Sequence, residues 1–164
     1  PGGKPIVQSI DIGVVRLCER ILHHDPPTAE ELQQARAWVT RETKAAVAAM
    51  GDYRQARFVG TAGTVTSLEA MAQKLPTYEP ARIHNYVLRL ETIRELERAL
   101  LTRTKAERVG LLGLEKNREE VIAAGAIIIR TIIDALGLRE CLVSDLGLRE
   151  GVLIDLFGKA SVRR

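Results

Sequence analysis

The sequence predicts an α/β domain, a mixed sheet with flanking helices. Three observations carry that prediction. Short Val- and Ile-rich runs alternate with longer stretches whose apolar residues recur three and four apart. Capping signatures open several of the longer stretches. The apolar run at 56–59 passes directly into Gly60-Thr61-Ala62-Gly63-Thr64 and then into helix-forming sequence, the strand-to-helix order of layered α/β folds. With 164 residues, 46% hydrophobic and 27% charged, the chain is expected to fold as one domain, residues 1–164, without disulfides or metals.

Residues 1–5 read as a loop, and 6–17 as an edge strand or hairpin arm rich in Val and Ile. Pro26-Pro27 then breaks the chain. Thr28, with Glu31 three residues later, forms a capping box ahead of Leu32, Ala35, Val39, Ala46 and Met50, which predicts an amphipathic helix stopping near Gly51. The strand at 56–59 and the Gly60–Thr64 loop lead into a second helix over 65–74. Pro76 and Pro80 bracket a loop, 83–88 is expected to be a short strand, and Ile93, Leu96 and Leu100 mark the stripe of another helix. Thr104 with Glu107 and Asn117 with Glu120 supply two further N-cap patterns. The second opens a helix carrying Val121, Ile128, Ile132 and Leu136, and Gly137 ends it. Residues 141–143 then read as a buried strand, 144–147 as a turn and 149–157 as a closing helix. Since the first strand follows a bare Pro-Gly-Gly without a clear opening βα unit, the chain is expected to be part of a longer protein.

Composition excludes several classes of function. The longest apolar segment, 121–136, is interrupted by Arg130 and Asp134, so no membrane-spanning helix is predicted, and no signal-peptide pattern opens the chain. Cys18 and Cys141 sit in apolar runs far apart in sequence, as buried reduced thiols do, and a cytoplasmic location is expected. Only 4% of residues are aromatic, which argues against the stacking platforms of single-stranded nucleic-acid binders. The formal charge is +3, with 18 arginines against six lysines. Arginine's planar fork suits phosphate oxygens, and genomic base bias produces the same composition.

The loop Gly60, Thr61, Ala62, Gly63, Thr64 is the strongest local signal. Between a strand and a helix, backbone N–H groups and the helix dipole converge on an anion, glycine permits close approach, and Thr61 and Thr64 add hydroxyl donors. The same composition also serves a tight turn followed by a threonine cap. Gly125, inside a helix of good formers, implies close packing or a ligand. Arg149, in the run after the last strand, could reach a phosphate or form a surface ion pair. His23-His24-Asp25 lacks the spacing of helix-borne metal ligands and reads as a solvated loop. His84 has no partner at ligand spacing and no G-x-S-x-G elbow is present, so neither a metal site nor a triad is assigned.

Four segments in this order, DIGVVRLCER (11–20), FVGTAGTVTSLEAM (58–71), REEVIAAGAIII (118–129) and LVSDLGLREGVLIDL (142–156), with Glu107-Arg108 among them, resemble the second domain of the Ppx/GppA phosphatases. That family comprises the exopolyphosphatases and the guanosine pentaphosphate phosphohydrolases. The resemblance implies a ribonuclease-H-like domain of the actin and acetate/sugar kinase superfamily, the C-terminal one of two that close over a phosphate-rich ligand. It implies that Gly60, Thr61, Ala62, Gly63 and Thr64 bind phosphate or nucleotide, and that Arg118, Gly125 and Arg149 lie near the interdomain cleft, where Arg149 is counted with the phosphate-binding residues. The catalytic carboxylate, the Gly-Gly-Gly-Ser loop and the ligands of the implied Mg2+ belong to the N-terminal domain, so no catalytic or metal residue is assigned here. The implied partners are that domain and polyphosphate or a guanosine polyphosphate, with homodimerisation left open. The intact parent is expected to hydrolyse terminal phosphoanhydrides, the chain alone being inactive. The alternatives are a non-catalytic polyphosphate- or alarmone-binding module and a lobe of a sugar- or acetate-type kinase.

Overall fold

The computed structural model describes residues 6–48, 50, 52–53 and 55–161. Its packing is organised by α7, Ile122–Ala135, which is apolar on nearly every side and therefore has to be covered on every side. One side packs with α3, Gly63–Ala72, α5, Leu90–Leu101, and the sheet, in a core that includes Leu68, Ile93, Leu100, Ile129, Ile133, Cys141 and Val143. The other side meets α1, Val14–Arg20, and α2, Ala29–Val47, through Leu17, Ala35, Ala124 and Ile127. The capping box of Thr28 and Glu31 starts α2, and that of Thr104 and Glu107 starts the short α6, Lys105–Arg108.

Three strands form the mixed sheet: β1, Val59–Thr61, β2, Val87–Arg89, and β3, Glu140–Ser144, in the order β1-β3-β2. β1 runs parallel to β3, with Thr61 opposite Ser144, and β2 runs antiparallel to β3, with Leu88 opposite Cys141. Gly60, Leu88, Cys141 and Val143 face the core, while Val59 and Val87 lie on the open face. The helices α4, Pro80–Ile83, and α8, Leu148–Ser161, complete the element list. Among the described residues no helix is long and apolar enough to cross a membrane, and Cys18 and Cys141 are free thiols.

The structure corrects four sequence expectations. Within 6–17, residues 14–17 open α1 instead of belonging to an edge strand, because Val14, Leu17, Cys18 and Ile21 follow helical spacing and bury one stripe against α2 and α7. The strand expected at 56–59 begins at Val59, so the strand reaches into the glycine loop. The strand expected at 83–88 divides into the end of α4, a left-handed Asn85 with φ 66°, and β2. Asn117 is left-handed, φ 67°, and cannot act as an N-cap, which has extended backbone; α7 begins instead after Val121. Gly51, the expected end of α2, lies outside the described residues, and the helix closes at Val47.

Two buried charges fix the helices relative to one another. Glu97, on α5, accepts from Arg36 of α2 at 3.0 Å and from Arg130 of α7 at 3.4 Å, and Arg94 and Arg130 share Asp134 at 2.7 and 2.8 Å. Arg108 is 3% exposed and donates to the carbonyls of Leu100, Arg103 and Glu119 and to the Asp25 carboxylate, at 2.6–3.2 Å.

Candidate phosphate-binding site

The parallel strands β1 and β3 end side by side, and each turns into a helix at the same end of the sheet. Ligands of α/β sheets gather at such carboxyl ends. The first turn is Ala62, with φ 71° and ψ 177°, a conformation that glycine usually holds and that costs about 1–3 kcal/mol for other residues. It starts α3 without a side-chain cap, so the first amides of that helix face the turn under the positive end of the helix dipole.

Arg118 packs directly on this turn: a Cβ added to Gly63 would fall inside van der Waals contact with both terminal nitrogens of its guanidinium. Its Nε donates to Glu115 at 2.8 Å, which holds the side chain in place while the other nitrogens lie at Gly63. Gly125 is where α7 crosses the turn. A Cβ there would come within 2.7 Å of the Thr64 methyl, so the glycine is required by the close approach of α7 to α3. Gly60 is closed off from solvent by Cys141 Sγ and Val65, which a Cβ would meet at 2.7 and 2.9 Å. Burial pushes the Cys141 thiol up to about 11, so it stays protonated.

The second turn, 145–147, is tied to the first. The Leu146 carbonyl accepts from Thr61 Oγ1 at 3.0 Å and from Ser144 Oγ at 2.8 Å, and the Gly147 N–H donates to Glu150 at 2.7 Å. The Gly147 amide is the first cause that holds the Glu150 carboxyl below the usual range. Sequence reasoning thus grouped Gly63, Thr64, Arg118 and Gly125, which the fold brings into contact, and Thr61, which bridges the turns. Arg149 stands apart: its side chain is 92% exposed and lies 3.7 Å from Glu150. Sequence reasoning missed Glu115 and Tyr78, and it weighed His84 only as a metal ligand or triad member. Glu115 could have been found from its position three residues before Arg118. Nothing local marks Tyr78, whose hydroxyl donates to Asp145, 67 residues away.

Among the described residues, no three His, Cys, Asp or Glu side chains stand together as a metal cage. The carboxylates beside the turns are each engaged by a donor of the chain: Glu115 by Arg118, Asp145 by Tyr78 and Glu150 by Gly147. These residues by themselves do not build a Mg2+ site.

Known proteins share the sequence pattern and the fold of this chain. The model of the Ppx/GppA phosphatase family matches residues 4–160. Exopolyphosphatase 2 of Mycobacterium tuberculosis is 34% identical over 154 residues, 92% of this chain and 48% of the relative. The crystal structure of the Aquifex aeolicus Ppx/GppA family member superposes with a TM-score of 0.86 at 30% identity, covering 95% of this chain and 50% of that one. That of an exopolyphosphatase from Cytophaga hutchinsonii has a TM-score of 0.78 at 24% identity over 92% and 49% of the two chains, a likeness of fold. The chain spans about half the length of these relatives. From residue 4 to residue 160, this chain belongs to the Ppx/GppA phosphatase family.

Proposed function

We propose that the chain is the second, C-terminal domain of a phosphohydrolase and supplies the phosphate-binding half of its site. The parent would cleave the terminal phosphoanhydride of inorganic polyphosphate or of a guanosine pentaphosphate. The observation that carries this reading is the uncapped start of α3 with the Arg118 guanidinium held over Gly63. Amides fixed by a helix and a guanidinium fixed by Glu115 form a preorganised donor set, which stabilises charge on non-bridging oxygens without reorganising during reaction. In this division of labour the Gly60–Thr64 turn and Arg118 bind and orient the phosphate chain. The general base and the Mg2+ ligands come from the N-terminal domain. The free thiols Cys18 and Cys141 fit a reducing compartment, the cytoplasm.

The experiment is a titration of the chain with tripolyphosphate, followed by amide chemical shifts. Saturable shifts at Gly63, Thr64 and Val65, lost in Arg118→Gln, are the expected outcome. Shifts spread evenly over the arginine-bearing helices, unaffected by Arg118→Gln, would show the turn to be structural only. In the parent, binding retained without phosphate release would point to a sensor in place of a hydrolase.

A further inference from the structure

The phosphate reading leaves unused a cluster behind the two turns, formed by Tyr78, His84 and Asp145. Asp145 follows Ser144, the register partner of Thr61, and so belongs to the turn that Thr61 Oγ1 ties to the candidate anion site through the Leu146 carbonyl. Neighbouring strands are about 4.8 Å apart and the Debye length is about 8 Å at physiological salt, so a charge at Asp145 is only partly screened from an anion at the Gly60–Thr64 turn. A free carboxylate there opposes anion binding.

In this chain that carboxylate is committed elsewhere. The Tyr78 hydroxyl donates to Asp145 Oδ1, and the Asp145 N–H donates to His84 Nδ1 at 3.3 Å. The Thr66 hydroxyl, at the first turn of α3, lies 3.4 Å from the carbonyls of Ala62 and Gly63. Both Tyr78 and His84 come from the segment between α3 and β2, so a stretch remote in sequence straps the β3–α8 turn by side chain and by backbone.

We propose that Tyr78 is a positioning residue of the anion site: by donating to Asp145 it fixes that carboxylate in one orientation and disperses its charge, so that the adjacent turn accepts a polyanion. This rests on the phosphate reading above. The relation is electrostatic, and it separates from a packing role because removing the charge should compensate for removing the hydroxyl.

The test measures tripolyphosphate affinity by calorimetry, with melting curves, for the chain and for Gly63→Val, Tyr78→Phe, Asp145→Asn and Tyr78→Phe/Asp145→Asn. Tyr78→Phe should weaken binding about twofold or more, since the carboxylate, charged in both proteins, loses the donor that holds it in one orientation. Asp145→Asn keeps an acceptor for the phenol and loses the charge, so it should bind as well as the parent chain or better. The double variant should recover the affinity of Asp145→Asn. An unchanged affinity in Tyr78→Phe, or a loss that Asp145→Asn does not restore, overturns the proposal. If Tyr78→Phe unfolds, Asp145→Asn decides alone, and weakened binding in that variant overturns it. Abolished binding in Gly63→Val with no effect of Tyr78→Phe sinks this inference and leaves the phosphate reading standing. No binding by the parent chain, or full binding by Gly63→Val, sinks both.

Discussion

Between α2, α5 and α7, Arg36 and Arg130 both reach the buried carboxylate of Glu97, and Arg94 and Arg130 share Asp134. At the β1–α3 turn, Arg118 uses Nε for Glu115, and its terminal nitrogens lie at Gly63. The first group spends its guanidinium groups on carboxylates of a helical layer and joins three helices. The second places cationic donors beside the uncapped start of a helix, at the open end of parallel strands. Eighteen arginines in the sequence carry no information about which of these roles each one plays. The partner of each guanidinium nitrogen decides it.

The largest expected effect breaks the helical side of this comparison. Glu97→Ala leaves two guanidinium groups without their buried acceptor, and removing one partner of a buried ion pair costs about 3–5 kcal/mol. Urea unfolding should show that loss, while the folded fraction keeps its affinity for tripolyphosphate. Loss of affinity at full folding would mean that the two regions are coupled. Next comes Gly63→Val, whose side chain needs the space held by the Arg118 guanidinium. In the parent proposed above, phosphate release should fall about 10²- to 10³-fold, the typical effect of losing one preorganised donor, with little change in melting temperature because the displaced guanidinium is anchored only by its partly exposed pair with Glu115. Parental rates in a normally melting Gly63→Val would reduce the turn to a structural feature.

A third effect depends on pH. Burial raises the Glu69 carboxyl from its ordinary 4.5 to about 7, and the single bond from the Gln73 amide, at 2.6 Å, opposes that only in part. Between those values the folded chain holds a proton that the unfolded chain has released, so stability should fall as pH rises through this window, by on the order of 3 kcal/mol. Glu69→Gln should flatten the profile, and an equally steep profile in that variant would assign the dependence to another group. The smallest effect is that of Arg94→Ala. Its bond to Asp134 is partly exposed, and such pairs contribute about 0–1 kcal/mol, so neither melting nor anion affinity should move appreciably.

What was legible in the sequence follows the range of the interactions concerned. Local chemistry could be read directly: the capping boxes at Thr28 and Thr104, the turn from β1 into α3 and the ending of α7 at Gly137 depend on neighbours within four residues. The edge strand at 6–17 failed because Val14 and Val15 weigh toward strand, whereas the burial of Leu17 against α2 and α7 selects helix. Asn117 failed because the same residue type serves an N-cap and a left-handed turn. In the candidate site, Gly63 and Arg118 were legible one by one, but their contact depends on how the 109–121 segment returns to α3. The strap from Tyr78 to Asp145 bridges residues whose spacing says nothing of each other.

That returning segment is steered from inside. Arg108 Nη1 holds the Glu119 carbonyl, one peptide from Arg118, while its other nitrogens grip Leu100, Arg103 and Asp25. The aim of the surface guanidinium is thus set by a buried one, as a sight is set by its mount. An ammonium group, with no rigid fork, cannot reproduce four directions at once, so lysine at position 108 would keep the charge and lose the aim.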